Sequence, residues 1–201
     1  MITHVVGGGL GVAALALCLA RSILHRDPWA VAGGVIYAVS LILLYTMSSV
    51  YHGLRPPMAK KVMQVLDHCT IYILIAGSYT PVLLCSIRRV SPGWAWALFG
   101  VVWGVSAFAM VFTAIDLHKY ARLSMICYLC LGWCVVLAIR PTVRAVPLPG
   151  LLWLLAGGIA YTVGAVLYGL GRKRRYMHSV FHIFVVLGSV LQFFSVLLYA
   201  V

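Results

Sequence analysis

GWAWALFGVVWGVSAFAMVFTA (93–114) decides the fold. It carries no charged residue from end to end, and RRVSPG (88–93) and DLHKY (116–120) bracket it with Pro, Gly and charge. A helix needs about 20 mostly apolar residues to cross the hydrocarbon of a bilayer. Backbone in lipid must satisfy its own hydrogen bonds, which leaves a helix or a closed barrel. Barrel strands alternate in polarity over about ten residues, so an unbroken apolar run of this length is a helix.

The same reading extends along the rest of the chain. Apolar runs over about 3–22, 30–51, 67–87, 93–114, 122–140, 150–170 and 177–200 predict seven spans. RDPW (26–29), GLRPPMAKK (53–61), RPTVRAVPLPG (140–150) and GRKRR (171–175) supply the remaining breaks. Hydrophobic residues make up 64% of the 201 and charged residues 9%; mean hydropathy is +1.05. That composition excludes a soluble domain. The expectation is all-α: a seven-transmembrane helix bundle, one domain over residues 1–201. The N-terminal MITHVVGGGLGVAALALCLA (1–20) reads as a retained first helix, because no Lys or Arg precedes its apolar stretch.

A net charge of +12 invites a nucleic-acid partner. The basic residues sit instead at the ends of apolar runs, where they anchor helices at lipid headgroups, so no nucleic acid is expected. RKRR (172–175) reads as one such anchor. Loops after spans 2, 4 and 6 hold nine Lys or Arg (Arg55, Lys60, Lys61, Lys119, Arg122, Arg172, Lys173, Arg174, Arg175), against six after spans 1, 3 and 5. The excess predicts a cytoplasmic N-terminus and an outside C-terminus. Trp29, Trp94 and Trp153, at the starts of spans 2, 4 and 6, suit the outer interface. Cys127, Cys130 and Cys134 share a helical face, and with no His or charge nearby they read as packing thiols.

Ionisable groups inside a bilayer are expensive and mark sites. The chain has three aspartates and no glutamate; Asp27 and Asp116 fall in loops, and Asp67 opens span 3. His52 closes span 2, and His178 and His182 open span 7. Span parity puts all of these at one membrane depth, whichever way the protein faces. His178 and His182 are four apart, which sets their Cβ atoms about 5–6 Å apart on one helical face. With His52 they form a three-imidazole set that leaves an open fourth position, the pattern of catalytic zinc. Copper, iron and nickel accept the same ligands. Asp67 then serves as general base or outer carboxylate, although alone it reads as the N-cap of span 3. Ser48, one turn before His52, faces the same side. His68 points about 100° from Asp67 and reads as a cap or interface residue. His25 and His118 read as interfacial, as does His4, which begins span 1 on the face of the site. Gly157, Ala160 and Gly164 form a small-residue stripe for close packing, and Pro81 is expected to kink span 3.

These residues lie in stretches that resemble the bacterial hemolysin III family, shared with the progestin and adipoQ (adiponectin) receptors. The stretches are Thr3 with His4, SSVYH (48–52), LDHCTIYILIAGSYTP (66–81), YLCLGW (128–133), GGIAYTVGAVLY (157–168) and HSVFHIFVVLGS (178–189), in family order. The resemblance implies a multi-pass protein of the cell membrane, here the bacterial inner membrane, with a cytoplasmic N-terminus. It implies zinc near the cytoplasmic face on His52, His178 and His182, with Asp67 acting through a water and Ser48 in the same cluster. The wider superfamily includes alkaline ceramidases, so the implied activity is metal-dependent hydrolysis of a lipid amide or ester, with membrane lipid as substrate. Two other functions are weighed: a non-enzymatic membrane-homeostasis regulator or receptor-like protein with a structural metal, and a pore-forming cytolysin. No span carries a polar lumen-facing stripe, which disfavours the pore.

Overall fold

The computed structural model describes residues 2–171 and 176–201, and the side chains of all of these except Ile2 and His178. The RKRR anchor expected at 172–175 lies outside the described residues. Seven helical stretches are long and apolar enough to cross a membrane. They are α1 (Ile2–Leu24), α2 (Pro28–Gly53), α3 (Pro57–Pro81), α4 (Pro92–Ile115), α5 (Ala121–Trp133), α6 (Leu148–Leu170) and α7 (Met177–Ser195). α3 runs on through π-helical Val82–Ile87 and the turn Arg88–Val90. α5 runs on through 3-10 Cys134–Ala138 and Ile139–Ala145. α7 ends in π-helical Val196–Ala200.

Local chemistry explains the boundaries. α2, α3, α4 and α6 each carry proline in the first turn, where its missing N–H costs nothing. Asp27 caps α2 by accepting from the Trp29 and Ala30 amides at 2.9 and 3.4 Å. The same carboxylate pairs with Arg89, past the π turn of α3. The neighbouring Arg88 guanidinium lies 4.2 Å over the Trp29 ring. One acidic side chain thus fastens the α1–α2 turn to the far end of α3.

Two departures from the sequence reading matter for function. The third span was expected from residue 67, but α3 begins at Pro57. Asp67 is therefore not an N-cap; it sits almost three turns inside a helix, and its neighbour His68 is not a cap either. The apolar run set the expected boundary, whereas helix formation needs only good formers. Exposed Lys60 and Lys61 and half-buried Gln64 continue the helix beyond the apolar stretch. The second departure is in α5, which tightens to 3-10 geometry at Cys134. Tyr79 of α3 bridges that break: its hydroxyl accepts from the Val135 amide at 3.2 Å and donates to the Gly132 carbonyl at 2.8 Å. Of the three cysteines expected to share a face, Cys127 and Cys134 are half-buried and Cys130 is exposed.

Other expectations match. Pro81 lies within the helix and π geometry follows it. α2 closes on this point: a Cβ on Gly33 would lie 2.9 Å from the Pro81 Cα. Gly157, Ala160 and Gly164 are buried, and α7 lies directly over them. A Cβ on Gly157 would come 2.7 Å from the Gln192 Cγ, and one on Gly164 2.9 Å from the Phe184 Cβ. The main core gathers α1, α2, α3 and α7 around fully buried Tyr37, Leu41 and Tyr45.

Partial burial works to raise the Asp27 pKa, but the two amide hydrogen bonds and the Arg89 guanidinium outweigh it and hold the carboxyl below its ordinary value. A lowered folded pKa means the stabilisation is complete above the unfolded value and is lost as pH falls through the folded one. Thermal unfolding in detergent is therefore expected to show a wild-type midpoint that drops below about pH 4. Asp27→Asn should start from a lower midpoint at neutral pH and lack this component of the acid drop.

Candidate functional site

The site is set by how α7 is pinned. Ser189, fully buried, accepts a hydrogen bond from the Tyr45 hydroxyl at 2.6 Å and shares another with the Tyr161 hydroxyl at 2.7 Å. The Tyr37 hydroxyl reaches the Ser189 carbonyl at 3.2 Å. One serine thus ties α7 to both α2 and α6 inside the apolar core. His182 lies seven residues earlier, about two turns at 3.6 residues per turn, and so shares the face that Ser189 presents to α2.

Three imidazoles meet there. The His52 and His182 ring centres are 5.1 Å apart with planes at 87°. His4 stands 3.9 Å from His182 and 6.4 Å from His52. His4 and His182 are buried and His52 is half-buried. Ser48, one turn before His52, is buried and close enough to the Asp67 carboxyl to donate a hydrogen bond. In the described residues the end of α2 and the starts of α1 and α7 converge, with Asp67 of α3 beside them. His178 occupies the position one turn before His182 on α7, and its side chain lies outside the described residues.

A cavity of about 440 Å³ opens beside this cluster. His4, Ser48, Asp67, His68 and His182 line one end; Leu44, Ile71, Leu74 and Val185 line the wall beyond, which reaches Trp133, Gly158 and Gln192. From His182 to Gln192 is ten residues of helix, about 15 Å. His68, expected to point away, borders the same space. The cavity is wide enough for neighbours 100° apart to reach it. The His68 Nδ1 lies 2.8 Å from the Gln64 carbonyl, and since a carbonyl only accepts, Nδ1 is the donor in that contact. His118 also borders the cavity, from the α4–α5 loop.

A metal can be tested against this geometry. Two imidazoles on one tetrahedral zinc, with Zn–N bonds of about 2.0–2.1 Å, hold their ring centres about 5 Å apart. The His52–His182 pair has that spacing. Among the described residues no three His, Cys, Asp or Glu side chains form a complete metal-holding group. The pair fits; the third ligand of the expected set falls on His178. The donor chemistry, neutral imidazoles beside a carboxylate, suits zinc or a neighbouring transition ion.

Sequence reasoning missed Tyr37, Tyr45, Tyr161 and Ser189. Two faint signals were present: Tyr37 and Tyr45 fall eight apart on one face of α2, and Ser189 falls two turns from His182.

Known proteins match this chain along nearly its whole length. The family model described as Haemolysin-III related matches residues 1–193. The chain is 36% identical over 198 residues to Hemolysin-3 of Bacillus cereus, spanning 98% of this chain and 89% of that one. It is 32% identical over 200 residues to the Hemolysin-3 homolog of Bacillus subtilis (strain 168), spanning 100% and 92%. The human monocyte to macrophage differentiation factor is 25% identical over 185 residues, spanning 87% and 74%.

Ser189→Ala removes the hydroxyl to which Tyr45 donates and with which Tyr161 shares a hydrogen bond. It is expected to cost about 1–3 kcal/mol in thermal or denaturant unfolding in detergent. Tyr161→Phe, which leaves the Tyr45–Ser189 bond in place, should cost less.

Proposed function

The chain belongs to the haemolysin-III-related family, and from that premise we propose that it is a metal-dependent hydrolase of lipid amide or ester bonds, ceramidase-like in chemistry, serving membrane lipid homeostasis. The observation that supports this most is the polarity of the cavity. Imidazole, carboxyl and hydroxyl groups gather around His182, and the cavity continues about three helical turns to Gln192 past Leu44, Ile71, Leu74 and Val185, with Ser78, Tyr79 and Thr162 also on its wall. Such a space suits a molecule with a scissile polar bond at one end and an acyl chain at the other.

His52, His178 and His182 would hold the ion, zinc by preference. When bound, it supplies Lewis acidity to a carbonyl and to water at its open position. The chain's own residues account for the rest. Asp67 accepts the proton of the attacking water as general base and returns it to the leaving amine or alcohol. Ser48 donates to Asp67 and so keeps one carboxyl oxygen turned toward the water. Leu44, Ile71, Leu74 and Val185 bury the acyl chain and exclude bulk water from the reacting bond. In this reading the loop-charge excess favours the cytoplasmic side for this end of the bundle, the membrane would be a bacterial inner membrane, and substrate would enter from the surrounding leaflet. A purely structural metal is less well supported, because the hydroxyls on Ser189 already bind α7 to α2 and α6.

Asp67→Asn is expected to retain zinc by elemental analysis yet to release fatty acid from ceramide in mixed micelles at least about 100-fold more slowly, the usual contribution of a general base. Equal turnover in mutant and wild type would defeat the hydrolase reading. At the deep end, Gly158 borders the cavity with Trp133 just beyond it, 3.7 Å from where a Cβ would lie. Gly158→Leu should slow turnover of long-chain amides while leaving short-chain ones near wild type, measured as kcat/KM across an acyl-length series.

A further inference from the structure

We propose that His4 is a positioning residue that holds the His182 imidazole in its working orientation, a role that rests on the metal-dependent reading above. A residue this near the start of a helix is ordinarily solvated, yet His4 is 3% exposed. Its ring stands perpendicular to His182 at 3.9 Å between centres. On its other side it meets the Tyr45 ring edge to face at 5.4 Å. Two imidazoles sharing a tetrahedral ion hold their centres about 5 Å apart. His52 and His182 satisfy that spacing, whereas His4 is too close to His182 to be its co-ligand. His4 is a wall against which the His182 ring rests.

The wall is itself anchored. The Tyr45 hydroxyl is bonded to the Ser189 hydroxyl at 2.6 Å, and Ser189 lies on the same helix as His182, two turns on. The contacts close a loop: α7 through Ser189 to Tyr45, Tyr45 to His4, and His4 back to His182. Gly7, one turn after His4, makes room for it, since a Cβ there would lie 2.5 Å from the Tyr45 ring. A side chain at that position would push α1 off Tyr45 and lift His4 from His182. An imidazole without such a wall is free to swing between rotamers, and residues that orient a metal ligand typically contribute about 10–100-fold to metal affinity.

The test uses the purified full chain in detergent as wild type, His4→Ala, His4→Phe and His182→Ala. Zinc affinity is read by competition with a chromophoric chelator, and ligand geometry by the visible spectrum of the Co²⁺-loaded protein. His4→Ala is expected to weaken zinc about 10–100-fold and to alter the cobalt bands. His4→Phe, which keeps a flat ring but no nitrogen, should restore affinity to within about threefold of wild type and return the bands. Wild-type affinity in His4→Ala would overturn the proposal. So would a His4→Phe variant as weak as His4→Ala, because a nitrogen rather than a ring face would then be required. Should His4→Ala fail to fold, His4→Leu makes the same comparison, filling the space without a flat ring. His182→Ala separates the two claims: if it binds zinc as wild type does, the metal reading fails whatever His4 does.

Discussion

A single buried serine sets the geometry on which the site depends. Helices in a bilayer gain little from hydrophobic association, so packing and interhelical hydrogen bonds hold them in register. The Ser189 hydroxyl accepts from Tyr45 and shares a hydrogen bond with Tyr161, and its carbonyl accepts from Tyr37. Small residues at 157, 160 and 164 let α6 lie against the other side of α7. α7 is thereby fixed in rotation and in height, and His182 is carried to within 5.1 Å of His52. Slippage of α7 by one turn would carry the His182 ring about 5 Å along the helix axis from its present place and dissolve the site.

The distribution of acid follows from the same economy of polar groups. The chain has three aspartates. Asp27 and Asp116 accept backbone amides at the ends of spans, where each stabilises a turn. Asp67 alone lies within a membrane-spanning helix, and it borders the cavity with Ser48 and His182. The basic excess is spent at the span ends. Among the described residues Arg89 with Asp27 is the one ion pair. The bundle is thus held by apolar packing and hydroxyl bonds, and its internal charge is kept for a single place.

Much of this was legible in the sequence, for physical reasons that differ from residue to residue. Proline and charge punctuate the apolar runs, so all seven spans were found. Span parity alone placed His52, Asp67 and His182 at one end. The start of α3 was not legible, because hydropathy marks where lipid begins rather than where a helix does; Lys60 and Gln64 are helix formers in water. His68 was misjudged because the angular argument assumed a narrow site. His4 was noted on the right face, but nothing in a linear reading shows that Gly7 lets α1 close on Tyr45. The hydroxyls on Ser189 were invisible since tyrosine and serine in an apolar run do not announce their partners. The 3-10 turn in α5 depends on Tyr79, more than fifty residues away, and no local signal encodes it.

On this reading the second and last membrane crossings bring His52 and His182 to one ion. Diffraction from zinc-loaded crystals on both sides of the zinc absorption edge would locate it. One anomalous peak is expected, bonded to the His52 and His182 rings, with His178 completing the set and Asp67 nearby. A map with no peak between those rings, or a peak bound elsewhere in the bundle, would contradict it.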